Sequence, residues 1–127
     1  MQNYLFVSLG AALGGALRYW ISKAAYHVLP ASFPFGTLAV NVIGGFIIGF
    51  VMYYLDANEV ISPETRIFLT TGFCGGLTTF STFSYETINL FRDSEIFLGA
   101  ANILLNFVLS LGAVLAAFYL AKVLSVR

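Results

Sequence analysis

Between Ile96 and Ala121 the chain carries no charged residue. A stretch of that length exceeds the ~20 residues that a helix needs to cross ~30 Å of hydrocarbon. Three further apolar segments precede it, so that four run over residues 4–27, 36–55, 66–91 and 96–121. Short connections separate them: Pro30 to Pro34, Asp56 to Glu64, and Arg92-Asp93-Ser94-Glu95. Ser62-Pro63-Glu64 has the parts of a helix start, with a hydroxyl cap, a proline at the first turn and an acid against the positive helix end. The runs are continuous and do not alternate, which argues against the roughly ten-residue strands of a membrane β-barrel. The opening MQNYLFVSLGAALGGAL lacks the basic stretch of a secretory signal and reads as a retained first span. The expected fold is an all-α membrane protein with four transmembrane helices, one domain over residues 1–127, multi-pass in the cell inner (plasma) membrane and in contact with the lipid bilayer.

Composition narrows the functions such a chain can have. Charged residues make up 9% and AVILMFWYC 59%, where a soluble domain carries roughly 25% charge. Six basic and six acidic residues give net charge zero, with no basic patch to neutralise phosphates, so nucleic acid is not a partner. Cys74 is the single cysteine and His27 the single histidine. An intrachain disulfide, a Cys-rich metal site and a His-based catalytic cluster are therefore excluded, and no enzyme activity is expected.

The basic residues also bear on orientation, because Lys/Arg bias between loops decides which way a chain inserts. With four spans, Arg66, Lys122 and Arg127 fall on one side and Arg18, Lys23 and Arg92 on the other. An even count permits insertion both ways up, and two opposite copies can then pair as an antiparallel homodimer. Gly10/Gly14, Gly45/Gly49 and Gly72/Gly76 are small residues four apart that let backbones approach, within one chain or between copies. Four thin helices hardly enclose a polar path alone, which favours the dimer.

Polar groups inside spans cost several kcal/mol each if unsatisfied. Asn102, Asn106 and Ser110 form a stripe at i, i+4 and i+8 of the fourth span, and Thr37 and Asn41 share a face of the second. Such stripes are either interhelical glue or the wall of a wet path. Arg18 is either a snorkelling arginine or a positive charge at the mouth of an anion path. Glu86, the acid deep in the third span, is a vestibule group or a partner for Arg18.

The third span is the most informative segment. Residues 70–84 read TTGFCGGLTTFSTFS, rich in hydroxyls and glycines. Gly75-Gly76 followed by Thr78-Thr79 is poor continuous helix and predicts a break near Gly75–Thr79, against the plainer alternative of a glycine-softened kink. Broken backbone at membrane depth is tolerated only when buried in protein or lining a cavity, and its freed carbonyls suit a bare hard cation such as sodium. Phe80 and Phe83 share a face beyond the break, with Ser81 and Ser84 beside them. Ring edges are electropositive and can face a small anion.

These residues resemble the Fluc/CrcB fluoride channels: GGALR in the first span, GTLAVN in the second and TTGFCGGLTTFSTFS in the third, in the family's order and spacing. The resemblance covers essentially the whole chain. It implies a fluoride-selective channel that lowers cytoplasmic fluoride by passive export, built as a dual-topology antiparallel homodimer with two pores and a central structural sodium ion that is not transported. Carried over by position, the backbone carbonyls of Gly75 and Thr78 hold the sodium. Asn41, Phe80, Phe83, Ser81, Thr82 and Ser110 line the fluoride pore, and Arg18 stands at the vestibule. Asn106 stands where relatives vary, and Val114 is apolar where some continue the polar track with threonine. A small dual-topology proton-coupled drug exporter is the alternative from another class. That chemistry needs a carboxylate deep in the first span, which has none.

Overall fold

The computed structural model describes residues 1–126; Arg127, one of the basic residues in the orientation count, lies outside the described residues. Helix α1 spans Gln2–Val28, α2 runs from Phe35 to Phe50 and continues as a π-helical turn over Val51–Asp56. The third span is split. Its first half, α3 (residues 63–77), joins an α turn Pro63–Ile67, a π-helical stretch Phe68–Cys74 and a last turn Gly75–Leu77. Its second half, α4, spans Phe80–Arg92, and α5 covers Ile96–Ser125. Among the described residues there is no strand.

Gln2–Val28, Phe35–Asp56 and Ile96–Ser125 are each long and apolar enough to cross a membrane as one helix. The third span does not qualify as a single helix because it is broken, as the glycine and threonine content predicts. The chain is a multi-pass membrane protein. Asn58, between α2 and α3, donates to Ser125 Oγ near the end of α5 at 3.3 Å, so the second connection and the C-terminal end of α5 share one end of the bundle.

Local signals fix the helix ends. Ser62 Oγ accepts from the Thr65 N–H at 3.1 Å, with Pro63 at the first position and Glu64 in the first turn. At the end of α4, Ser94 takes a left-handed φ of 63°, and the Glu95 N–H reaches back to the Leu90 carbonyl at 2.8 Å, closing the helix in the manner of a left-handed C-cap. The π-helical stretches have no clear mark in the sequence. In the second of them Thr70 Oγ donates to the Arg66 carbonyl at 2.8 Å, a side-chain bond that competes with the backbone ladder.

Glycines set the packing. A Cβ on Gly10 or Gly14 would strike the Phe68 or Phe73 carbonyl of α3, and one on Gly72 would lie 2.8 Å from the Val7 carbonyl of α1. Gly76 likewise faces Ala11 and Gly15. The α1 and α3 backbones therefore touch through interlocked glycines, a contact no larger residue allows. Gly45 and Gly49 do the same for α2 against Ser110, Val114 and Ala117 of α5. All three glycine pairs are used inside one chain.

Amides share the interior with apolar side chains, and large apolar side chains also cover the outside. Asn102 is fully buried and Asn106 nearly so, while Leu13, Trp20, Phe97 and Leu104 face outward. With lipid outside, apolar side chains need no cover, and the interior is where amides find partners.

Candidate functional site

The break is made by two residues. Thr78 (φ −83°, ψ 159°) and Thr79 (φ −154°, ψ 120°) are both extended, and the helix resumes at Phe80. Thr79 acts as the new N-cap: its Oγ1 accepts from the Thr82 N–H at 3.1 Å. Its own N–H donates to Asn41 Oδ1 of α2 at 2.8 Å, and its carbonyl accepts from Asn41 Nδ2 at 3.2 Å. One asparagine thus replaces the backbone partners that the break removes.

These bonds free carbonyls. In a continuous helix the Gly75 carbonyl would accept from the Thr79 N–H and the Thr78 carbonyl from the Thr82 N–H. Both donors are engaged elsewhere. Gly76 faces α1 and Leu77 is fully buried, so Gly75 and Thr78 are the members of this turn that line open space.

That space is a groove of about 440 Å³ open on one side. Asn41, Gly75, Thr78, Phe80, Phe83 and Ser110 all line it. Phe80 is 72% exposed and Phe83 6%, with ring centroids 5.4 Å apart at 51°. Phe83 also meets Phe107 in an edge contact at 6.1 Å. Ser110 Oγ is buried with no protein partner, a free hydroxyl in the groove wall.

Other sequence candidates sit elsewhere. Ser81 and Thr82 are at the start of α4, their hydroxyls 3.3 and 3.1 Å from Thr79 Oγ1, and they do not line the groove. Arg18 is half-buried on α1, away from it, and among the described residues makes no ion pair. Glu86 faces α2 and not Arg18: Thr37 Oγ1 donates to Glu86 Oε1 at 2.9 Å, leaving Oε2 buried and unpartnered. Val114 lies against Gly45 and Gly49, one turn beyond Ser110.

Three residues enter the site that the sequence did not single out for it. Asn41 Nδ2 also donates to Asn106 Oδ1 at 3.0 Å, and Asn106 Nδ2 donates to Asn102. Thr87, one turn beyond Phe83, accepts from Asn102 at 2.9 Å. The i, i+4 spacing of Asn102 and Asn106 showed a shared face, and the structure makes that face a hydrogen-bonded contact with α2 and α4.

Among the described residues no group of His, Cys, Asp and Glu could hold a metal ion. The Gly75 and Thr78 carbonyls freed by the break are oxygens of the kind a hard cation takes.

Across residues 5–118 the chain matches the family described as CrcB-like protein, Camphor Resistance (CrcB). The chain belongs to the CrcB family. A relative from Clostridium novyi named fluoride-specific ion channel FluC is 48% identical over 119 residues, 94% of this chain and 93% of its own length. Relatives of the same name come from Pyrococcus horikoshii, 49% identical over 116 residues, 90% and 91% of the two chains, and from Geotalea daltonii, 46% over 104 residues, 82% and 84%. The matched CrcB region takes in every residue that lines the groove, from Asn41 to Leu111.

Proposed function

We propose that this chain is a fluoride-selective ion channel that works as an antiparallel, dual-topology homodimer, with two pores and a central structural sodium ion. The relatives' name supports fluoride as the permeant ion. The observation that carries the reading for this chain is the groove itself: freed carbonyls, two phenylalanine rings and an orphaned hydroxyl line one open groove. In such a dimer the Gly75 and Thr78 carbonyls of both copies would hold the sodium. Four oxygens without a carboxylate suit sodium, whose charge would raise the potential of the flanking pores.

Fluoride is strongly hydrated, so a pore must offer substitutes for water that are close but individually weak. Ser110 supplies an uncommitted hydroxyl. Phe80 and Phe83 supply positive ring edges, which attract an anion without trapping it as a full charge would. Ser81 and Thr82, whose hydroxyls stand 3.3 and 3.1 Å from Thr79 Oγ1, supply further hydroxyls beside the path, and Arg18 draws anions to the vestibule. The physiological task is to vent fluoride that enters acid-exposed cells as HF and dissociates in the cytoplasm.

A bacterium lacking its own fluoride exporter, grown in millimolar-range fluoride, tests this in cells. Expression of the chain restores growth; failure to restore it with the protein present in the membrane contradicts the proposal.

A further inference from the structure

An unbroken run of hydrogen bonds links the break to the interior of α4 by way of α2 and α5. Thr87 Oγ1 donates its one proton to the Phe83 carbonyl at 2.7 Å, so toward Asn102 it can only accept. Asn102 Nδ2 donates to it at 2.9 Å. That turns Asn102 Oδ1 toward Asn106, whose Nδ2 donates to it at 3.0 Å and to the Asn102 carbonyl at 2.9 Å. Asn106 Oδ1 is left facing α2, where Asn41 Nδ2 donates at 3.0 Å. At the far end the Thr79 backbone N–H can only donate, and it donates to Asn41 Oδ1 at 2.8 Å.

Both ends impose the same amide direction on every asparagine. Reversing any one of them would set N–H against N–H in a buried site, where unsatisfied polar groups are expensive. Asn41 has its oxygen and its amide hydrogens engaged by Thr79 and Asn106. In the resting protein it holds the Thr79 peptide out of the helix, and this leaves the Gly75 carbonyl without its helical donor.

We propose that Asn106, Asn102 and Thr87 are positioning residues, a directional relay that locks Asn41 into the break and keeps the Gly75 and Thr78 carbonyls free for a hard cation. The proposal rests on the fluoride-channel reading with its sodium site. Thr87 belongs to no wall of the groove, which makes it the best handle. Thr87→Val keeps the shape and removes the acceptor for Asn102; Thr87→Ser keeps the acceptor.

The full chain is purified with either Na⁺ or N-methylglucamine as the cation, and its thermal midpoint and its fluoride efflux from liposomes are measured. Wild type and Thr87→Ser gain thermal stability with Na⁺. Thr87→Val and Asn106→Leu lose at least half of that gain, and their fluoride efflux falls about tenfold, the scale of one misplaced hydrogen bond. A purely structural role for Thr87 would lower the midpoint equally with and without Na⁺, and that result overturns the relay. Unchanged Na⁺ response and efflux in Thr87→Val overturn it too. If Asn106→Leu does not fold, the Thr87 pair decides. Wild type that passes no fluoride contradicts the channel reading instead, whereas wild-type efflux with an undiminished Na⁺ response in the variants rejects the relay alone.

Discussion

Phe83 sits between two other rings, its centroid 5.4 Å from that of Phe80 and 6.1 Å from that of Phe107, so its orientation is set by packing before any ion arrives. Replacing either groove ring by isoleucine keeps an apolar surface and removes the positive ring edge. Phe80→Ile and Phe83→Ile should each slow fluoride efflux about tenfold or more, the rate equivalent of ~1.4 kcal/mol, without changing the oligomeric state on a sizing column. Unchanged flux in both would remove the ring-edge mechanism. The two rings were legible in the sequence, since their i, i+3 spacing within a hydroxyl-rich segment dictates a shared face. The partners of Asn41 were not. A stripe of asparagines fixes which way α5 faces, but which helix lies opposite depends on how α1, α2 and α3 pack, and that is a matter of tertiary contact.

At the level of elements, the break and the glycine contacts are two sides of one design. Gly72 and Gly76 let α3 lie directly on α1, which fixes where α3 ends, and Asn41 of α2 then receives the exposed Thr79 peptide. Gly14→Ala would drive a methyl into the Phe73 carbonyl, and should destabilise the chain by about 1–3 kcal/mol, the range for overpacking. Gly15→Ala meets nothing within 4 Å and should be neutral or slightly stabilising, since alanine is the better helix former. Thermal unfolding of both variants in detergent checks the contrast, and an equal loss in both would refute the interlocked-glycine packing. The three long apolar helices, the split segment between the second and the last, the Ser62 cap and the break were all readable from apolar runs and punctuating residues. The π-helical stretches were not, because an extra residue in a helical turn leaves the apolar pattern almost unchanged. Whether glycine pairs face their own chain or a second copy was also beyond the sequence, as spacing shows a small face and not what meets it.

For the whole molecule, the proposed antiparallel assembly rests on the even Lys/Arg count of the two sides. Adding two positive charges to the second connection, Glu59→Lys with Val60→Lys, should force one orientation. The proposed antiparallel pair then cannot form, so fluoride efflux is lost, and co-expression with a variant biased the opposite way restores it. A terminal tag that is found on one side of the membrane in every wild-type molecule would rule out dual topology. The low charge count that makes this a membrane protein also leaves the groove without a fixed side-chain charge, so selectivity has to come from a hydroxyl, ring edges and backbone oxygens. The proposed groove passes fluoride and rejects other halides. Purified protein in liposomes loaded with equal fluoride and chloride, followed with ion-selective electrodes, should release fluoride rapidly and retain chloride; absent fluoride efflux, or chloride leaving equally fast, would show that the protein is no fluoride-selective channel.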